Sequence, residues 1–247
     1  MINVQNVTKS FNGIEIIKGV SFEIQKGEVV GFLGQNGAGK TTLMRILTSF
    51  LPATTGKVTV MGKDIASDSL AVRRKIGYLP ETPPLYPNMI VKDYLIFAAQ
   101  LKDVLSKDIP YQLEKVMAEC GIEHVAHKVI GTLSKGYKQR VGIAQAIIND
   151  PEILILDEPT SGLDPVQIQT VRQLIEGFKG KKTVILSTHI LSEIEQTAQR
   201  VLIIKDGRIL ADDALDHLLK THHGMNLEEI FLNIVKRDSN PTILKKT

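Results

Sequence analysis

The chain has 247 residues, 43% hydrophobic and 23% charged, the composition of an ordinary globular protein with ample length for a core. A formal net charge of +3 is too weak to indicate nucleic-acid binding by itself. The single cysteine, Cys120, excludes an internal disulfide and suits a reducing compartment.

Met1-Ile2-Asn3-Val4-Gln5-Asn6 has no basic start followed by an apolar stretch, so no signal peptide is expected. Strand and turn signals then alternate: Ile2–Val7, the turn Asn12-Gly13, Val20–Ile24, the turn Lys26-Gly27 and the apolar run Val29–Leu33. Next comes Gly34-Gln35-Asn36-Gly37-Ala38-Gly39-Lys40-Thr41, a complete G-x-x-x-x-G-K-[ST] loop. Leu43, Ile46, Leu47 and Phe50 follow at i, i+3, i+4, i+7, the spacing of one helix face.

A strand, a glycine loop and a helix in that order are the context in which this motif binds phosphate. Glycines let backbone N–H groups of Asn36, Gly37, Ala38 and Gly39 converge on phosphate oxygens, and the helix N-terminus adds its positive dipole end. Lys40 would reach the β- and γ-phosphates, Thr41 would ligate Mg²⁺, and Gly34 and Thr42 complete the contact set. A nucleoside triphosphate is the expected ligand.

Downstream, Thr55-Gly56 opens Val58–Val60 and Gly62-Lys63-Asp64 closes it, which predicts a small antiparallel sheet beside the nucleotide core. A strand over Lys75–Leu79 runs into a proline-dense loop, Pro80–Pro87. Between about Val91 and Asn149 the pattern is helical: Tyr94, Phe97, Ala98 and Leu101 share one face, as do Leu113, Val116 and Met117. Cys120 precedes Gly121 at the expected end of a helix, in a small apolar role.

Strand character returns at Ile153–Leu156, Thr183–Leu186 and Val201–Ile204, with helices between. Such alternation predicts a mostly parallel sheet covered on both faces, with the helical stretch inserted in it. These apolar runs fall far short of the roughly 18 residues that span a bilayer, so a cytoplasmic chain is expected.

Ile153–Leu156 ends in Asp157 and Glu158, at the strand end where α/β sheets place ligand-contacting groups. Asp157 is suited to hold Mg²⁺, and Glu158, on the other side of the extended chain, to take a proton from an attacking water.

Phosphate loops serve many enzymes, and the remaining motifs narrow the choice. The guanine-reading Asn-Lys-x-Asp is absent. Leu133-Ser134-Lys135-Gly136-Tyr137-Lys138-Gln139-Arg140 resembles the Leu-Ser-Gly-Gly-Gln signature of ABC ATPases. Ser161-Gly162-Leu163-Asp164 is similar to that family's D-loop, and Ser187-Thr188-His189 to its switch histidine. Order and spacing match from about Ile2 to Gly207. The variants resemble the branch serving ABC-2 type permeases, and within it the gliding-motility-associated ATP-binding subunits.

That resemblance implies an α/β fold of the phosphate-loop, ABC type. A mostly parallel core would carry an N-terminal antiparallel subdomain and an inserted helical subdomain at about 88–150. Residues 1–235 would form one nucleotide-binding domain, followed by a polar tail, 236–247. It implies ATP and Mg²⁺ as cofactors, and two copies (or a paired ABC subunit) sandwiching ATP head to tail. Ser134 and Gly136 of one copy would face the nucleotide on the other's Lys40, and His189 would contact the γ-phosphate. Phe11 is the candidate adenine-stacking ring, with a plain core role as the alternative. The implied partner is a polytopic permease, with the chain peripheral on the inner face of the membrane and no nucleic acid involved. A soluble ABC-type ATPase with a regulatory, nucleic-acid or ribosome role is the competing reading.

Lys135 and Tyr137 replace the usual glycine and glutamine of the signature, and Glu81 stands where many ABC proteins carry a Q-loop glutamine. Glutamate can still ligate Mg²⁺ or orient water, but adds a charge. The other histidines, His124, His127, His217, His222 and His223, read as surface residues. Leu227, Ile230, Phe231 and Ile234 form a helical stripe that packs on the body or on a second copy. Pro241 and Lys245-Lys246 lie in a tail expected to fray, with at most a weak attraction to anionic lipid.

Overall fold

A computed structural model describes residues 1–222 and 224–239 of the chain. His223 and the tail from 240 onward, with Pro241 and Lys245-Lys246, lie outside the described residues.

The antiparallel sheet starts from a hairpin. Strands β1 (Ile2–Phe11) and β2 (Ile14–Ile24) pair from Ile2–Ile24 to Phe11–Ile14 around Asn12-Gly13. Both turn residues have positive φ, 49° and 81°, the geometry that matches the twist of tightly joined strands. Both strands run further than the apolar pattern indicated, because cross-strand pairing carries their exposed ends out to the turn. Strands β3 (Val29–Leu33), β4 (Thr55–Val60) and β5 (Lys63–Asp64) follow, and β4 and β5 complete a four-stranded sheet in the order β2-β1-β4-β5.

The second sheet is built on β3. With β6 (Ile76–Leu79), β7 (Ile153–Asp157), β8 (Thr183–Thr188), β9 (Arg200–Lys205) and β10 (Arg208–Ala214), its order is β10-β9-β3-β8-β7-β6. All of these pairings are parallel except β9–β10, as the alternation of strands and helices predicts. Successive side chains point to opposite faces, so each central strand feeds two cores. Ile153 and Ile155 enter the core shared with α1 (Lys40–Leu47) and the antiparallel sheet. Leu154 and Leu156 enter the other, under the helices of the insertion.

Between β6 and β7 run α3 (Val91–Leu101), α4 (Ile109–Cys120) and α5 (Lys135–Ile147), after the short α2 (Ser69–Arg73). Gly121 ends α4 in the left-handed region at φ 58°, and Arg140 Nη1 donates to the Cys120 and Gly121 carbonyls. Burial pushes the Cys120 thiol well above its usual range, which fits an inert packing role. Helices α6 (Pro165–Gly177), α7 (Leu191–Thr197), α8 (Leu215–Thr221) and α9 (Leu227–Ser239) complete the chain. Leu227, Ile230 and Phe231 are buried against the body of this copy, with Ile234 packed beside them, and α9 continues past position 235 to Ser239.

Two apolar residues depart from their stripes. Phe50 is 72% exposed, because α1 stops at Leu47 and Ser49 turns the chain at φ 56°. Leu101, the last residue of α3, is 68% exposed. Both side chains line one groove, with Leu70, Arg73 and Lys102.

Candidate functional site

The phosphate loop hangs between the C-terminal end of β3 and the first turn of α1. Gly39 caps that helix at φ 104°, a conformation a side chain would strain. Asn36, Gly37, Ala38, Gly39, Lys40, Thr41, Thr42, Glu81, Glu158 and His189 line one open cavity of about 550 Å³. Ile16, Gln35 and Ser161 join them, none of which the sequence reading singled out as a site residue. Gly34 lies just outside, its carbonyl accepting from Lys40 Nζ at 2.7 Å.

A chain of polar side chains crosses the cavity. Lys40 Nζ lies 3.2 Å from Glu158 Oε1, and Glu158 Oε2 lies 2.9 Å from His189 Nδ1. Lys40 and Glu158 are buried, whereas the His189 ring is partly open to solvent. Glu158 itself has φ 49°, rare for a residue with a side chain, and its N–H donates to both Ser187 O and Ser187 Oγ at 3.1 Å. The strained turn is therefore pinned to the end of β8.

Asp157 is fully buried at the end of β7 and does not line the cavity. Its Oδ1 accepts from Ser187 Oγ at 2.5 Å, while its Oδ2 has no hydrogen-bond partner among the described residues. An orphaned buried carboxylate oxygen is costly unless something else satisfies it. A hard cation held through water suits that oxygen, with the Thr41 hydroxyl and Glu81 on the cavity wall. No cluster of three or more metal-ligating acids, histidines or cysteines occurs among the described residues.

Ser134 and Gly136 sit elsewhere. Ser134 is the N-cap of α5, its Oγ accepting a long 3.5 Å bond from Tyr137 N–H, and Gly136 is buried beside it. Neither lines the phosphate cavity. Tyr137 holds the exposed His124 ring at 2.8 Å through its hydroxyl and lies under the Arg140 guanidinium, so His124 buttresses the signature helix. Asp164 caps α6, accepting from Gln167 N–H at 2.9 Å. Phe11 is 44% exposed at the end of β1 with the Lys9 ammonium 5.0 Å from its ring. It is therefore no core residue, and it is not among the cavity's lining.

The family profile described as ABC transporter matches residues 17–161. The chain belongs to the ABC transporter family. It is 36% identical over 222 residues to the bacitracin transport ATP-binding protein BcrA of Bacillus licheniformis, covering 89% of this chain and 72% of that one. It is 39% identical over 234 residues to the lantibiotic transport ATP-binding protein SrtF of Streptococcus pyogenes, covering 94% and 96%. Among solved structures, the ATP-binding subunit of an ABC transporter superposes with a TM-score of 0.86 at 28% identity, over 95% of this chain and 99% of that one. A dimeric post-hydrolysis state of the ATP-binding cassette MJ0796, bound to ADP and Pi, superposes with a TM-score of 0.79 at 27% identity, over 87% and 99%. This chain is an ATP-binding subunit and an ATPase.

Proposed function

We propose that two copies of this chain close on two ATP molecules and drive a separate membrane permease. The carrying observation is that the cavity has its phosphate loop, acid and histidine but not Ser134 or Gly136. The site is half-built in one copy. A second copy, turned head to tail, would bring its signature helix N-terminus onto the γ-phosphate, where the positive helix end and the Ser134 hydroxyl favour anionic oxygen.

Within each site the chain's own groups would act as follows. Phosphates entering the loop take Lys40 from Glu158, since a charge-assisted contact to the β- and γ-oxygens replaces the internal one. Glu158, released, accepts a proton from the water that attacks the γ-phosphorus, as the bond to the β–γ bridging oxygen breaks and ADP leaves with that oxygen's electron pair. His189 orients Glu158 and contacts the γ-phosphate. Thr41, Asp157 and Glu81 would hold Mg²⁺, whose charge offsets that of the phosphates. Phe11 is the proposed adenine-stacking ring.

Residues 1–235 are read as one nucleotide-binding unit, with the helical part at about 88–150 inserted in its core. Phe50, Leu70 and Leu101 are large, apolar and exposed around a single groove of about 330 Å³, the kind of patch that marks a protein contact. Among the described residues no helix is long and apolar enough to cross a membrane. The chain would sit on the inner face through its partner.

Affinity purification from solubilised membranes tests this. A polytopic protein should accompany the chain, and its loss on Phe50→Asp would place the contact. Recovery of nucleic acid in its place would support the soluble regulatory reading.

A further inference from the structure

Glu158 and His189 come from different segments, and a third residue ties those segments to each other. Glu193 lies in the first turn of α7 and is 2% exposed. One of its carboxylate oxygens accepts a hydrogen bond from Thr160 Oγ1, two residues after Glu158. The other accepts from Thr188 Oγ1 at 2.7 Å, in the residue just before His189. Both threonines are buried. The Thr188 hydroxyl also receives the Ile190 N–H at 3.0 Å, which fixes the chain on the far side of His189. Thr197 Oγ1 donates to the Glu193 carbonyl at 2.5 Å and braces the helix behind.

A buried carboxylate needs a compensating partner, and among the described residues Glu193 has hydroxyls and no cation. An apolar side chain would pack there without that desolvation cost. What the carboxylate does, and an apolar residue could not, is hold two hydroxyls at a fixed separation. The 158–160 turn is thus anchored from one side by Ser187 and from the other by Glu193, with the unfavourable φ of Glu158 between the anchors.

We infer that Glu193 is a positioning residue for hydrolysis, setting the Glu158 carboxylate against His189 through Thr160 and Thr188. The inference rests on the reading of Glu158 as the base. Among the described residues the side-chain hydrogen bonds of Glu193 go to Thr160 and Thr188 and not to the phosphate loop, so nucleotide binding is separable from its action.

The test compares Thr160→Val, Thr188→Val and Glu193→Gln in the full chain. The valine variants keep the shape and delete one hydroxyl each. Three quantities are measured: kcat, affinity for a non-hydrolysed ATP analogue, and the imidazole ¹⁵N resonances of His189. Misplacement of a reacting group by about 1 Å costs on the order of 10²-fold, so kcat should fall by about that factor. Affinity should hold, and the His189 signals should move as its bond to Glu158 loosens. Unchanged kcat in the folded variants overturns the inference. So does a joint loss of affinity and thermal stability with unmoved His189 signals, which marks a purely structural role. If Glu158→Gln turns over like the wild type, the base assignment fails, independently of Glu193. Loss in Glu158→Gln with none in the Glu193 series overturns the positioning role alone.

Discussion

Lys40 and Glu158 are each other's ion-pair partner across the phosphate cavity, at 3.2 Å and shielded from solvent. The cation that should bind phosphate and the anion that should activate water neutralise one another when neither has its substrate. Any triphosphate entering the loop competes with that pair for Lys40. Glu158→Gln therefore has two consequences. Turnover should fall by roughly 10²–10⁴-fold, the usual worth of a general base. Affinity for ATP should be equal or higher, because the amide no longer competes for the lysine. Steady-state kinetics and equilibrium titration check both, and wild-type turnover would remove Glu158 from the chemistry.

Lys40→Ala should act at an earlier step. It deletes the charge-assisted contact to the β- and γ-phosphates and leaves Glu158 with the His189 ring as its remaining side-chain partner. Nucleotide affinity should drop, read by titration with a fluorescent ATP analogue. Unchanged affinity would count against the phosphate-loop assignment.

Assembly can be tested by complementation. If Ser134 serves the nucleotide of the other copy, a Lys40→Ala chain mixed with a Ser134→Arg chain yields one doubly defective site and one intact site. The mixture should recover activity that neither variant has alone, provided one intact site can fire. Light scattering of Glu158→Gln should show a dimer with ATP and a monomer without. A dead mixture together with an ATP-bound monomer contradicts the sandwich.

The groove makes a separate prediction through Lys102. Its Nζ donates to the Gln145 and Ala146 carbonyls at 2.5 and 3.0 Å, and burial lowers its pKa from 10.5 to about 7. Between those values the unfolded chain holds a proton that the folded chain has released, so raising the pH favours folding. Below about 7 both states are protonated and the folded state bears the buried ammonium. Stability should therefore climb from about pH 7 toward 10, and Lys102→Met should flatten the climb. Denaturant melts at several pH values decide it.

Local motifs were the legible part of this chain. The phosphate loop and the strand ending in Asp157-Glu158 are contiguous, and their geometry follows from glycine, capping and a buried strand. The two-sheet core was legible too, since the apolar runs of β3, β7, β8 and β9 admit few other homes. Glu193 was not, because in Ser192-Glu193-Ile194-Glu195 it reads as an ordinary solvated helix acid, and only the docking of α7 beside β8 buries it. Phe50 and Leu101 misled for a related reason. Their spacing continues a helical stripe, but the stripe says nothing about where the helix stops. Ile16, on the cavity wall, lies in β2, which starts at Ile14 and not at the expected Val20.

Gly207, in the turn between β9 and β10, donates its N–H to the Ala38 carbonyl at 3.0 Å and accepts from Lys18 N–H at 2.9 Å. A Cβ there would lie 2.0 Å from the Ile16 carbonyl oxygen, so no other residue fits without moving β2. The strand that launches the phosphate loop, β3, is likewise flanked by β8 and β9, which come much later in the sequence. On the ribosome, then, the nucleotide site is encoded early and completed late. A nascent chain carries Lys40 long before the hairpin that clasps its loop has emerged, and the loop gains that clasp only after Gly207 has followed.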